Sequence, residues 1–408
     1  MLQAVRKSGW ARVAGLMGPA FVAAIAYVDP GNVAANITAG AKYGYLLVWV
    51  LVVANVMAVM VQYQSAKLGA VTGKSLPQTL GERLPRRSRL LFWGQAELVA
   101  GATDIAEVIG GAIALNLLFR LPLPVGGVIV GVVSMALLML AGRQRQRQFE
   151  FVILALLAII VLGFLAGLLV NPPDAGGIVN GMVPRLAGTE TVLLAASMLG
   201  ATVMPHAIYL HSSLMIDRHG APKSERRTRK LLAVTRVDVV VALVVAGTVN
   251  IALLVLAASS LYGHEGTDSI EGAHAAVREA LGPVVAAVFA IGLLASGIAS
   301  TSVGAYAGSA IMGGLLRKQI PLLVRRSVTL IPAVVILAAG VDPTMSLVIS
   351  QVVLSFGIPF AIIPLRRYTA NRAMMGAFAD GPWLRWGSAV AAVAIVVLNA
   401  ALIVLTFA

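Results

Sequence analysis

The sequence predicts an all-α membrane protein of eleven transmembrane helices. Three observations predict it: an excess of apolar residues, apolar stretches of bilayer length, and basic charge confined to alternate joints. Of 408 residues, 59% are hydrophobic and 12% are charged, and the mean hydropathy is +0.90. Soluble domains carry about 25% charged residues. A globule cannot hide that much apolar surface, whereas a bilayer solvates it, and about 20 apolar residues make one helical crossing.

Apolar stretches bounded by charged or Pro/Gly-rich joints fall at about 15–41, 44–66, 90–118, 123–141 and 149–170. Six more follow at about 190–215, 234–261, 282–312, 322–340, 344–365 and 384–407. If the N-terminus is cytoplasmic, all but four of the 31 lysines and arginines fall on cytoplasmic joints; Lys42, Arg120, Arg185 and Arg278 lie opposite. The positive-inside rule therefore expects a cytoplasmic N-terminus and an outer C-terminus. The basic head, residues 1–12, lacks a small-residue cleavage site and reads as no removable signal peptide. The longest outer joint, about 262–281, carries Glu265, Asp268, Glu271 and Glu279 against Arg278, and reads as a solvated loop. A net charge of +14 would suggest nucleic acid in a soluble protein. Here it is spread over short cytoplasmic segments without interleaved aromatics, so no nucleic-acid role follows. There is no cysteine, so disulfides and thiolate metal sites are excluded and any metal ligand is oxygen, nitrogen or thioether.

The first span is interrupted at its middle by Tyr27-Val28-Asp29-Pro30-Gly31-Asn32. Pro30 removes a backbone donor, Gly31 admits unusual φ, and Asp29 and Asn32 are costly at bilayer depth without a task. The sixth span repeats the event at Gly200-Ala201-Thr202-Val203-Met204-Pro205-His206. Spans one and six are five apart. That odd offset inverts orientation, so spans in about 15–170 and 190–365 form inverted repeats, with 384–407 as an addition. Paired Pro/Gly-interrupted spans in corresponding positions point to a secondary transporter's midplane site. Pro19, Pro332, Pro359 and Pro364 read only as kinks of packed helices.

An unwound turn frees backbone carbonyls, and around them the chain places the Asp29 carboxylate, the Asn32 amide oxygen and the Met204 thioether. Ca²⁺ and Mg²⁺ prefer all-oxygen shells, whereas Mn²⁺, Fe²⁺ and later ions accept sulfur. A lone membrane methionine is normally core filler; Met204 differs in sitting beside Pro205 at the break.

Asp-Pro-Gly-Asn at 29–32 and Met-Pro-His at 204–206 resemble the signature pair of the Nramp family, natural resistance-associated macrophage protein homologues. The resemblance extends over essentially all eleven spans. It implies a LeuT-like fold, proton-coupled import of Mn²⁺ or Fe²⁺, no prosthetic group, and the cytoplasmic membrane of a bacterium. It further implies that Asp29, Asn32 and Met204 bind the metal with the carbonyls of Ala26 and Ala201. Gln351 matches a polar position that approaches the ion, or else makes a helix–helix hydrogen bond. One departure is Ile298, where the family often has glutamine.

The third span carries Glu97, Asp104 and Glu107, and Asp104 and Glu107, three apart, share a helix face. Intramembrane carboxylates usually face an interior cavity, and a close pair favours loading and release of a proton. By the resemblance, Arg325 and Arg326 join these acids in a proton exit route, alongside His206. Structural salt bridging of the acids and snorkelling of the arginines are the bland alternatives. His206 and His211 handle protons, gate, or simply hydrogen-bond. Asp29 links the two cargoes, since metal binding demands its deprotonated form.

Two rivals stand beside this reading. A Na⁺-coupled amino-acid symporter on the same fold would hold a substrate carboxylate at half-helix N-termini and would not need Met204. A passive divalent-cation channel would show rings of like charge from several subunits. No Ser/His pair, phosphate loop or His-Glu-x-x-His pattern lies at membrane depth, so an enzyme is not expected.

Overall fold

A computed structural model describes residues 18–138, 146–170, 172–221, 224–263, 266, 269–317 and 321–407. The basic head and parts of several joints, including Arg143, Lys318, Glu265 and Asp268, lie outside the described residues. Every predicted apolar stretch is helical along most of its described residues, interrupted at the two expected breaks and frayed by a residue or two at some ends. No strand occurs among the described residues.

The first half comprises α1 (Pro19–Ile25), a 3-10 turn (Ala26–Val28), α2 (Pro30–Tyr43), α3 (Val48–Thr72), short α4 (Leu76–Arg83), α5 (Arg86–Phe119), α6 (Leu123–Leu138), α7 (Gln146–Val170) and short α8 (Ala175–Gly181). The second comprises α9 (Thr189–Thr202), α10 (Pro205–His219), α11 (Glu225–Ser260), α12 (Ile270–Leu281), α13 (Pro283–Leu315), α14 (Leu322–Ala338) and α15 (Pro343–Ala370). Short α16 (Arg372–Met375) and α17 (Pro382–Phe407) complete the chain.

Among the described residues, seven helical stretches are long and apolar enough to cross a membrane, and four shorter apolar helices accompany them. One of the seven, Pro30–Thr72, is 43 residues long, about twice a crossing. Gly44, at φ 58°, turns the chain within it. That conformation carries a steric penalty for any residue with a Cβ.

Bundle helices are apolar all round, and lipid-facing positions such as Val56, Leu98 and Val244 are exposed while the interior is small-residue rich. Small residues let helix backbones approach in a solvent that gives no hydrophobic incentive to associate. The pair α5 and α13 is packed most extensively. A Cβ on Gly297 of α13 would lie 2.9 Å from Gly111 N and 3.1 Å from Glu107 O. One buried ion pair, Lys67 with Asp380, ties α3 to the segment before α17. Asp380 also accepts from Gln64 Nε2 at 2.7 Å and Thr369 Oγ1 at 2.6 Å.

Pro19 opens α1 at the first helical position, where its missing N–H costs nothing, and the residues before Gly18 lie outside the described ones. One expectation needs correction. The outer joint is not simply loop, because α12 forms over Ile270–Leu281 behind the N-cap of Ser269, whose Oγ accepts from Gly272 N at 3.0 Å. Its apolar residues Ile270, Ala273 and Val277 are buried at helical spacing, and that packing selects helix over loop. Pro332, Pro359 and Pro364 lie inside α14 and α15 without ending them.

Candidate metal site

Each break follows from its X-Pro pair. Proline fixes its own φ and pushes the preceding residue out of the helical region, so a helix stops before the pair and restarts on the proline. At the first break, α1 tightens into the 3-10 turn, Asp29 is extended (φ −79°, ψ 166°) and Pro30 opens α2. Asp29 is also a strong N-cap residue, and its Oδ1 accepts from Asn32 N at 2.9 Å. At the second, α9 ends on Thr202, Met204 is extended (φ −65°, ψ 123°) and Pro205 opens α10. Here the cap position holds a thioether, and no side chain caps the helix.

The two breaks meet directly. Asn32 Nδ2 donates to Asp29 Oδ1 at 2.7 Å and to the Ala201 carbonyl, 169 residues away in sequence, at 2.9 Å. From α15, Gln351 Nε2 donates to Asp29 Oδ2 at 3.2 Å. Gln351 reaches this point because Gly31 and Gly200 lack side chains: a Cβ on Gly31 would overlap its carboxamide, and one on Gly200 its carbonyl. Asp29, Asn32, Met204, Ala201 and Gln351 are all fully buried, and Ala26 lies buried in the 3-10 turn. Met204 sits three residues beyond the carbonyl that meets Asn32.

Asn32 Oδ1, Gln351 Oε1 and Thr202 Oγ1 are buried without a hydrogen-bond partner. Each such group costs about 1–3 kcal/mol if left unsatisfied. Asn32 and Gln351 carry these oxygens on the carboxamides that donate to Asp29, and Thr202 follows Ala201 at the second break. No group of three or more His, Cys, Asp or Glu side chains that could hold a metal occurs among the described residues. The oxygens at the junction belong to one carboxylate, to carboxamides, to a hydroxyl and to backbone carbonyls, and the Met204 thioether is buried at the second break.

The supporting polar residues were not singled out in the sequence. Asn250 of α11 donates from Nδ2 to the Tyr27 carbonyl at 2.7 Å and accepts from Asn36 Nδ2 at 3.2 Å. Ser296 of α13 donates to the Val28 carbonyl at 2.5 Å. These bonds occupy carbonyls that unwinding releases. The available signal was the presence of Asn36, Asn250 and Gln62 within apolar spans, where polar residues are expensive.

The proton-route candidates separate in space. Asp104 and Glu107 are buried in α5, whereas Glu97 is half-buried. His206 Nδ1 lies 3.4 Å from Thr103 Oγ1, so this histidine faces α5 beside Asp104. His211 points to α3: its Nδ1 pairs with Gln62 Oε1 at 2.8 Å, and Gln62 Nε2 donates to the Tyr27 hydroxyl. Five residues rotate a helix by about 140°, which divides the histidines between two neighbours. The side chains of Arg325 and Arg326, at the start of α14, lie outside the described residues.

A family model described as natural resistance-associated macrophage protein-like, Nramp, matches residues 20–405. The chain belongs to the Nramp family. A Mycobacterium tuberculosis relative named divalent metal cation transporter MntH is 58% identical over 391 residues, covering 96% of this chain and 91% of its own. The solved Eremococcus coleocola manganese transporter is 29% identical, with a TM-score of 0.86 over 98% of this Nramp chain and 87% of its own. A nucleobase-cation-symport-1 transporter, Mhp1, is 17% identical with a TM-score of 0.60, covering 95% of this chain and 90% of its own. That likeness is one of fold alone. The architecture is the LeuT-like one, with its first and sixth spans unwound.

Proposed function

We propose that this Nramp protein imports divalent transition metal ions, Mn²⁺ and Fe²⁺ foremost, together with protons by alternating access across the cytoplasmic membrane of a bacterium. The observation that carries the reading is the junction of the two breaks. Asn32 bridges Asp29 and Ala201, Gln351 closes on Asp29, and Asn32, Gln351 and Thr202 at this junction each carry a buried oxygen without a hydrogen-bond partner. Asp29, Asn32, Met204 and the Ala26 and Ala201 carbonyls are the ligands, with Gln351 approaching the ion. The manganese transporter of the same fold and the MntH relative support that cargo.

The metal adds to a ligand that must be ionised, so its arrival displaces a proton from Asp29. Asp104 and Glu107, with His206 beside them, receive protons on the cytoplasmic side, and Arg325 and Arg326 complete that route. Eleven crossings with the N-terminus inside and the C-terminus outside fit the basic joints. A cavity of about 600 Å³ opens on the side bearing those joints, lined by Ser75, Gln78, Ser213, Asp217 and Tyr306. The pocket on the opposite side, lined by Lys42, Glu190 and Asp342, measures about 90 Å³. This asymmetry supports a release path toward the cytoplasm.

An amino-acid symporter is disfavoured by the first break itself. The N-terminus of α2, where a substrate carboxylate would bind, is already occupied by the Asp29 carboxylate.

Metal uptake and proton influx into proteoliposomes test the scheme. Asp29→Ala should abolish both fluxes, and Asp104→Asn should reduce proton flux. Unchanged coupled uptake in both variants would defeat the mechanism. Met204→Ala should admit Ca²⁺ or Mg²⁺ as competitors; continued exclusion of both would remove the thioether from the selectivity argument.

A further inference from the structure

Helix α13 carries four buried hydroxyls in a short stretch: Ser296, Ser300, Thr301 and Ser302. Three are spent. Ser296 Oγ donates to Val28 O at 2.5 Å, Ser300 Oγ to Ser296 O at 2.7 Å and Ser302 Oγ to Ile298 O at 2.9 Å. Thr301 differs, because its Oγ1 has no hydrogen-bond partner. A helical threonine ordinarily finds the carbonyl four residues back, here Gly297, yet Thr301 does not use it.

Its surroundings follow from helix register. Gly297, Thr301 and Gly304 stand at i, i+4 and i+7, on one face of α13. On both sides of Thr301 that face lies against Glu107. A Cβ on Gly297 would be 3.1 Å from Glu107 O, and one on Gly304 would be 3.0 Å from Glu107 Oε2 and 3.1 Å from Oε1. Positions three or four apart have Cβ atoms about 5–6 Å from one another. The Thr301 hydroxyl makes no direct bond to the Glu107 carboxyl, but the shared face leaves it at a spacing that one water bridges.

We propose that Thr301 is a positioning residue for proton passage at Glu107, an inference that rests on the proton-coupled reading above. A hydroxyl both donates and accepts. Through the bridging water it donates toward the ionised carboxylate and, when a proton arrives on Glu107, rotates to accept from that water instead. Either form is held in place, and no bond other than the O–H of the travelling proton forms or breaks. The other titratable groups on this side of the packed helices are Asp104 on α5, His206 on α10 and Asp29 at the first break, while Glu97 lies about 15 Å back along α5. Between Ser296 and Gly304, α13 brings no charged side chain.

Thr301→Val keeps the shape and removes the hydroxyl, and Thr301→Ser restores it. The readout is protons carried per Mn²⁺ in proteoliposomes, with thermal midpoints of the purified variants in parallel. Thr301→Val should retain Mn²⁺ uptake while protons per Mn²⁺ fall about tenfold, the scale of one lost hydrogen bond to a carboxyl. Thr301→Ser should return the wild-type ratio. A wild-type ratio in Thr301→Val, or equal loss of both fluxes, overturns the proposal. If Thr301→Val does not fold, Thr301→Ala is read by the same criteria. A wild-type protein that moves no protons with Mn²⁺ would instead refute the coupled mechanism, so the two failures are distinguishable.

Discussion

Asn250→Ala removes the side chain that holds the first break open from behind. Two bonds vanish together: the 2.7 Å donation to the Tyr27 carbonyl and the 3.2 Å acceptance from Asn36 Nδ2. Tyr27 and Asn36 are buried, so neither gains bulk solvent in exchange. An orphaned buried polar group costs about 1–3 kcal/mol, which for two groups sums to about 2–6 kcal/mol. A water entering the vacated space would recover part of this, which places the expected penalty near the low end. The Tyr27 carbonyl lies two residues before Asp29, so the penalty bears on the carboxylate's placement. Every 1.4 kcal/mol lost from metal binding is tenfold in affinity. Isothermal titration with Mn²⁺, together with the thermal midpoint in detergent, measures both consequences. Affinity should fall at least tenfold and the midpoint should drop. A variant with wild-type affinity and midpoint would show that α11 contributes nothing to shaping the break.

Three further perturbations follow from particular contacts. A Cβ on Gly110 of α5 would overlap the Pro30 ring, and overpacking costs about 1–3 kcal/mol. Gly110→Ala should therefore displace the first break and depress Mn²⁺ uptake, whereas normal uptake would mean the helices part freely. Lys67→Met alone strands Asp380 in the interior and should destabilise by about 3–5 kcal/mol, while Lys67→Met with Asp380→Leu should recover most of it; equal midpoints for the single and double variants would count against this. In α12, burial foremost, with the nearby Asp342 charge, pushes the half-buried Glu271 carboxyl above its ordinary 4.5. The folded state then binds that proton more tightly than the unfolded one. The stability of docked α12 is fully present below about pH 4.5 and declines as pH rises through the folded value. Protection of α12 amides, taken relative to the intrinsic exchange rate at each pH, should fall over that range and become flat in Glu271→Gln; flat protection in the wild type would refute it.

Much of this protein was legible in its sequence because the relevant physics is local. Asp29-Pro30 and Met204-Pro205 break their helices wherever they sit, since proline constrains the residue before it within one peptide unit. Apolar stretches and basic joints likewise report a partition between lipid and water that each segment makes almost independently. Helix rotation and long-range approach were another matter. Nothing in the spacing of His206 and His211 says that one meets Thr103 of α5 and the other Gln62 of α3. The contact of Gln351 with Asp29 spans 322 residues and exists because two glycines let α15 come close. Asn250 and Thr301 read as ordinary polar residues in apolar spans until neighbouring helices give one its partners and deny the other. The outer joint became helix only through burial of Ile270, Ala273 and Val277. Sequence alone thus determined where the membrane helices run and where two of them fail, because those are properties of single segments. Only the tertiary structure decided which side chains those failures bring together, because that depends on how rigid helices rotate and pack against one another.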